Sequence, residues 1–510
     1  MDATNISASE QEKILGNLWK AAQGPGEGHV LPTVDQLNRA RASLYNSLPE
    51  EGVGYQSVQR HILDDIVPAF NGGSINPNYY GFVTGGVTPA ALFADAVVSA
   101  YDQNVQVHLQ SHSIVTDVEF KTLGLLLQLL KLDVPSWLNG TFTTGATASN
   151  IIGLACGREF VIQKAAQRKG SPIKSTADAG LHEVLQSIGA SGIQVLSTLP
   201  HSSLVKAAGV LGIGRMNVRD ISTEANPLDI DLKKLQTELS RVDVVSIVAI
   251  SCGEVNSGRF ASAGLHELRK IRQLCDRHGA WLHVDGAFGI FGRLVGDDTE
   301  FMAIKEGCDG IELADSITGD AHKLLNVPYD CGFFFCRHAS IAREVFQNAN
   351  AAYLASVDGR DSFIPSPLNI GIENSRRFRA LPVYASLLAY GEVEYRKMLH
   401  RQIRLARMIY GWIFDHPGYT ALPETTSREE LLDLTYMVVL FRAKDGGLNR
   451  TLEAKINATS RMFVSGTSWA DAPACRIAIS NWRVDEKRDF ALVTGVLESA
   501  LRSSGSAVSC

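Results

Sequence analysis

The chain has 510 residues, 45% hydrophobic and 20% charged, with a formal net charge of −6. That is the make-up of an ordinary globular protein with room for a large core and two or three lobes. No cluster of five or more Lys/Arg occurs and no apolar run approaches ~18 residues, so a nucleic-acid surface, an anionic-membrane surface and a membrane span all lack support.

The N-terminal stretch MDATNISASEQEKILGNLWK is polar and acidic rather than basic and then apolar, and the expectation is a cytoplasmic protein. Eight cysteines are scattered without a CxxC or a Cys/His ligand spacing, several inside apolar runs, and read as reduced core residues rather than metal ligands. Residues 1 to about 50 read as helical segments joined by the turn Gly24–Gly28. Asn76 to Gly86 is rich in aromatic residues and glycine, and a helix begins near Pro89.

A helix from Ser113 to Leu130 precedes the small-residue stretch Thr141–Asn150, which reads as a turn opening a helix over Ile151–Ala166. Free backbone N–H groups and the positive end of the helix dipole make such a turn a phosphate cradle, although an ordinary N-cap looks the same. The strand Gly192–Leu196 ends at Pro200-His201-Ser202-Ser203. A histidine past a strand end can stack on a planar cofactor; the plainer alternative is an N-cap serine beside an incidental histidine.

Val244–Ser251 is a buried strand followed by the turn Cys252–Phe260. Ala280 to Val284 is apolar apart from His283 and ends in Asp285, as a buried parallel strand with a functional residue at its carboxyl end would. Ala314–Asp320 leads into Ala321-His322-Lys323, and Cys331–Cys336 is another apolar run. Strands alternating with helices imply an open, mainly parallel sheet with a ligand site at the strands' carboxyl ends. An acid and a lysine at neighbouring strand ends can face one pocket.

That pairing suits pyridoxal phosphate (PLP): the lysine amine condenses with the aldehyde, while the carboxylate keeps the pyridine nitrogen protonated. The lysine must be partly neutral, and His322 beside Lys323 fits that task or a phosphate contact. The bland alternative makes Asp285 a helix cap and Lys323 a solvated surface group. Farther on, Ser356–Asn374, rich in Pro, Gly and Asp, reads as an active-site lid. Arg376, Arg377 and Arg379 read as a surface-type ion-pairing cluster opening a long helix to about Asp415. Cys475–Trp482 reads as an alternating strand of a smaller sheet, and its Arg476 could fork onto a substrate carboxylate or make a structural ion pair. The tail from Ser503 is Ser/Gly-rich and reads as disordered.

His283-Val284-Asp285-Gly286-Ala287, then His322-Lys323, then Asn326 to Gly332, resemble the PLP-dependent group II amino acid decarboxylases, which include aromatic-amino-acid, glutamate and tyrosine enzymes. The resemblance runs from about Asn76 to Trp482. It implies an α/β architecture of PLP fold type I (aspartate-aminotransferase-like), a mainly parallel central sheet and a smaller C-terminal α+β domain. The corresponding segments are 1–90, helical and packed on the other subunit of a homodimer; 91–372, the cofactor domain; and 373–510, the small domain. It also implies that Lys323 binds the cofactor covalently, Asp285 faces its ring nitrogen, His201 stacks on the ring and Ala287 lies under it. Ala146, Thr147 and Ala148 with His322 would surround the phosphate, and Thr84 and Gly85 would line the substrate pocket.

Two departures stand out. Glu254 occupies a turn position where many relatives carry Thr or Asn, and no tyrosine or histidine occurs between Ala355 and Asn374, where aromatic decarboxylases carry a proton-donating tyrosine; Phe363 is the one aromatic there. The expected reaction is decarboxylation of an L-amino acid to its amine, with aromatics at Tyr79 to Phe82 favouring a bulky or aromatic substrate. Three alternatives stay open: oxidative deamination to an aldehyde, another PLP reaction such as that of an aldolase or aminotransferase, and a catalytically silent cofactor-binding partner.

Overall fold

The computed structural model describes residues 30–109, 111–347 and 364–502, with Ser9, Glu12, Lys13, Gly16, Asn17, Trp19 and Lys20. The expected turn at Gly24–Gly28, the tail from Ser503 and the Ser356–Phe363 part of the expected lid lie outside these residues.

Largely buried runs form the main sheet, β1 Asn139–Thr143, β2 Gly192–Ser197, β4 Val244–Ser251, β5 Trp281–Asp285, β6 Ser316–Asp320 and β7 Gly332–Cys336, with the short, more exposed β3 Val218–Asp220 at one edge. Their spatial order is β1-β7-β6-β5-β4-β2-β3. From β2 to β6 the pairings are parallel, and β7 alone runs antiparallel to both neighbours. Register sets Ser251, Asp285 and Thr318 side by side on β4, β5 and β6. The carboxyl ends of these strands therefore form one rim.

Helix α1, Ala146–Lys169, packs on one face of this sheet, where Ile152 and Cys156 join a buried cluster with Val195, Ile247, Trp281 and Phe334. It starts five residues before the expected Ile151. The run Ala-Thr-Ala-Ser-Asn has turn-like local preferences, but nine-tenths or more of Ala146, Ala148, Ser149 and Asn150 is buried, and that packing decides the conformation. Two interior glycines, Gly153 and Gly157, lie on the sheet-facing side four residues apart. A Cβ at Gly153 would sit 2.6 Å from His283 Cε1, and one at Gly157 2.9 Å from Trp281 Cδ1. Rings two residues apart on β5 thus fit against glycines one helical turn apart on α1, because ~6 Å separates each pair.

Internal contacts divide the chain into two compact units: Val87–Ile403 with Thr425–Val438, and Met1–Gly86 with Arg404–Glu424 and Val439–Cys510. The main sheet belongs to the first. The second carries a smaller sheet made of β8 Tyr419–Leu422, β9 Val438–Ala443, β10 Ser465–Trp469 and β11 Ala472–Ala478, in the order β10-β11-β9-β8. The expected alternation along β11 is absent: Ala474 to Ala478 are buried without a break.

The arginine cluster is also not a surface feature. Arg376 and Arg379 are 7% and 8% exposed, and only Arg377 stays in solvent. Arg376 grips Glu119 with both terminal nitrogens, and Arg379 Nε donates to Asp330 Oδ1 at 2.9 Å. Paired charges of this kind can be buried because each carboxylate offsets the desolvation of its guanidinium. The seven described cysteines are buried and form no disulfide. Among the described residues no helix is long and apolar enough to cross a membrane.

Candidate active site

Asp285 ends β5, and Lys323 lies on the short helical turn Ala321–Leu324 that follows β6, so both stand at the carboxyl rim of the sheet. Asp285 is 7% exposed and accepts two hydrogen bonds, from Asn150 Nδ2 at 2.9 Å and from the Ala287 N–H at 3.3 Å. Lys323 Nζ stands 2.9 Å from Asp320 Oδ2 and 5.7 Å from the centre of the Phe288 ring. Asp320 also uses its other oxygen, accepting the Ala146 N–H at 2.6 Å. One carboxylate therefore ties the lysine to the N-terminus of α1.

His322 is turned inward. Its Nδ1 accepts the Cys331 N–H at 3.3 Å, its backbone N–H donates to Cys331 O at 3.0 Å, and its ring lies 4.4 Å from that of Tyr329. Burial holds the imidazole below its ordinary pKa, against the opposing pull of Asp320. The neutral ring thus carries its proton on Nε2, 3.7 Å from Asp320 Oδ2.

His201, an exposed residue, is the N-cap of helix α2, Ser202–Val210, and is linked to Asp285 through Ser203 and Asn150. Its Nδ1 accepts the Ser203 N–H at 3.2 Å and lies 2.7 Å from Ser203 Oγ. The N-cap is His201 itself, not the serine that the sequence offered. Glu254 is spent on its own turn, accepting from Asn256 N, Ser257 N and Ser257 Oγ at 2.7–2.9 Å.

Thr84, Gly85 and Arg476 belong to the other unit. There Thr84 Oγ1 donates to Gly81 O at 3.3 Å, Gly85 O accepts from the Trp482 N–H at 3.1 Å, and Arg476 Nη1 donates to Phe82 O at 2.6 Å. The aromatics expected to face a substrate are largely packed. Tyr79 stacks on Phe463 at 4.7 Å, and Tyr80 OH, 1% exposed, accepts from Asn78; Phe82 remains 69% exposed.

These groups suit PLP. Asp285 is a buried carboxylate with acceptor capacity left for a ring N–H. Beside it in register, Thr318 Oγ1 is buried with no protein partner among the described residues. The amides of Thr147 and Ala148 fall in the first turn of α1, where a helix supplies no acceptor, and they suit a phosphate. Of the four expected phosphate residues, Ala146 has its amide engaged by Asp320 and His322 its amide by Cys331 O, while Thr147 and Ala148 show no such partner among the described residues.

A model of the pyridoxal-dependent decarboxylase conserved domain matches residues 39–422. The chain belongs to this family. It is a PLP-dependent carboxy-lyase of fold type I. This decarboxylase is 26% identical over 446 residues to the L-2,4-diaminobutyrate decarboxylase of Acinetobacter baumannii, covering 86% of this chain and 81% of that one. Among solved structures it resembles Oryza sativa TDC with PLP and tryptamine (TM-score 0.79, 19% identity, 97% of each chain). It also resembles Rhodiola rosea 4-hydroxyphenylacetaldehyde synthase (TM-score 0.77, 18% identity, 98% of this chain and 99% of that one).

Sequence reading of this decarboxylase missed Asn150, Ser316 and Asp320 as parts of the site, and quoted His283 and Ser203 without a role. The available signals were two glycines spaced by four in a helical run, and an acid three residues before the lysine.

Proposed function

We propose that this decarboxylase converts an L-amino acid to its amine, with Lys323 binding the cofactor covalently and Asp285 holding the proton on its ring nitrogen. His201 and Ala287 would hold the ring, and the Thr147 and Ala148 amides with His322 would hold the phosphate. The observation that carries this reading is the placement of Asp285 and of the Asp320–Lys323 pair at the ends of adjacent strands, with the N-terminus of α1 reaching the same rim. Bound PLP supplies the electron sink for the pair released when the carboxylate leaves.

The chain's own residues do the remaining work. Asp320 Oδ2 is in position to take the proton that Lys323 Nζ gives up before it condenses. Asp285, buried and hydrogen-bonded, stabilises positive charge at the ring nitrogen more strongly than an exposed carboxylate would. His201 Nδ1 accepts the Ser203 N–H and meets Ser203 Oγ, which fixes the orientation of the ring; His201 or water is the donor to the carbon that loses its carboxylate. A homodimer is supported by apolar side chains left in solvent along residues 34–70, among them Val34 at 70%, Leu48 at 95% and Phe70 at 64% exposure. The place of work is the cytoplasm, and the substrate class includes aromatic and diamino acids.

One observation favours a second product. The stretch 355–374 holds no tyrosine or histidine to protonate the carbanion, which leaves it open to oxygen and an aldehyde outcome. Product analysis over the standard amino acids plus 2,4-diaminobutyrate tests both. Amine with carbon dioxide and no peroxide supports the first reading; aldehyde with ammonia and peroxide supports the second. Turnover without carbon dioxide contradicts both.

A further inference from the structure

One side-chain amide touches both groups that the proposed function sets against the cofactor ring. Asn150 Nδ2 donates to Asp285 Oδ2 at 2.9 Å and to Ser203 Oγ at 3.0 Å, and Ser203 in turn meets His201 Nδ1 at 2.7 Å. Behind it, Asn150 Oδ1 meets His283 Nε2 at 2.9 Å, His283 Nδ1 meets Ser316 Oγ at 2.8 Å, and Trp281 Nε1 donates to Ser316 Oγ at 3.0 Å. Asn150, His283 and Ser316 are all 0% exposed.

The direction of every bond follows from chemistry. A carboxylate only accepts, so the amide nitrogen faces Asp285 and the amide oxygen faces His283. Hence His283 carries its proton on Nε2. Burial pushes the His283 imidazole down to about 4, despite the pull of Asp285, so the ring is neutral and its Nδ1 accepts from the Ser316 hydroxyl. Ser316 Oγ accepts from the indole, which can only donate. The series begins on a group with nothing but a donor and ends on two acceptors, the Asp285 carboxylate and His201 Nδ1. No member opposes another.

We infer that Asn150 is a positioning residue for the reaction: its amide orients Asp285 and His201 together, and His283, Ser316 and Trp281 hold that amide in its one productive orientation. Asn150 itself touches no reacting atom. Its effect is to aim Asp285 and to keep His201 in the tautomer with Nε2 protonated. Gly153 is part of the same device, because its missing side chain leaves the space that the His283 ring fills.

The inference rests on the proposed roles of Asp285 and His201, and the test separates the two. In PLP-loaded protein, the cofactor dissociation constant and the pH midpoint of the bound cofactor's visible absorbance are measured for Asn150→Leu, His283→Leu, His283→Gln and Asp285→Asn. Asn150→Leu should weaken PLP binding ~10- to 100-fold, as loss of an orienting partner does at cofactor and metal sites, and move the pH midpoint. His283→Leu touches neither Asp285 nor His201, and should move the midpoint the same way. His283→Gln, whose amide can donate from near the Nε2 position, should restore it. Ser316→Ala, a milder cut behind His283, gives a smaller shift of the same sign and serves where the leucine variants do not fold.

A residue of purely structural importance would lower thermal stability and leave the midpoint alone. If Asn150→Leu, His283→Leu and Ser316→Ala all keep the wild-type midpoint and PLP affinity within twofold while Asp285→Asn moves both, the inference is overturned and the role of Asp285 stands. If Asp285→Asn moves neither, the reading beneath the inference falls with it.

Discussion

Gly153→Ala offers a sharp test because local and tertiary arguments predict opposite signs. Gly153 lies inside helix Ala146–Lys169, where alanine is favoured over glycine by roughly 1 kcal/mol. Against that, the new methyl would sit 2.6 Å from His283 Cε1 and 2.8 Å from Nδ1. Restoring ordinary contact near ~3.5 Å requires the ring to retreat by about 1 Å. The ring is fully buried and held by bonds of 2.8 Å to Ser316 and 2.9 Å to Asn150, so such a retreat breaks at least one of them. A buried polar group left unpaired costs about 1–3 kcal/mol, and overpacking a similar amount.

The net expectation for Gly153→Ala is a loss of about 1–5 kcal/mol, with weaker PLP binding. Gly495 is the control: it lies in the helix Glu486–Arg502 with open space around its missing Cβ, so Gly495→Ala should gain about 0.5–1 kcal/mol. Denaturant midpoints of the two variants, with and without PLP, give the comparison. A Gly153→Ala protein more stable than wild type with unchanged PLP affinity would refute the reasoning about His283.

Two further outcomes follow. His283 titrates near 6.5 when unfolded and near 4 when folded, so between these values the unfolded chain binds more protons and stability falls as pH drops, by up to roughly 3 kcal/mol. His283→Gln should flatten that stretch of the stability–pH curve, and an unchanged slope from pH 6.5 to 4 would count against a buried neutral His283. Asp320→Ala removes the acceptor of the Ala146 N–H and the partner of Lys323, and should cost about 1–3 kcal/mol in the cofactor-free protein; Asp320→Asn, which keeps an acceptor oxygen, should cost less. Equal losses in chemical denaturation would show that the helix-end contact contributes nothing.

The rim of the site was legible in the sequence because strands buried on both faces read as unbroken apolar runs, and an acid at the end of one stands out. Val244–Ser251 coincides with its strand, and Trp281–Asp285 is found one residue shorter than expected, with Asp285 at the predicted end. What escaped depends on partners far along the chain. Thr141–Asn150 has the local preferences of a turn, yet its second half is helix because β5, more than 130 positions on, covers it. Arg376 and Arg379 look solvated until Glu119 and Asp330 are brought to them. Tyr79 looks like a pocket residue until Phe463 stacks on it, and Tyr80 until Asn78, itself tied to Asp489, donates to its hydroxyl. Glycines inside a helix score against it locally, and only the rings of His283 and Trp281 explain them.

The central claim is that Lys323 is the cofactor-binding lysine. Reduction of the PLP-loaded protein with borohydride, followed by digestion and mass spectrometry of the peptides, tests it most directly. The account predicts one modified lysine, Lys323, and a Lys323→Ala protein with no covalent adduct even when PLP is in excess. A stoichiometric adduct on any other lysine, or an undiminished adduct in Lys323→Ala, would contradict it.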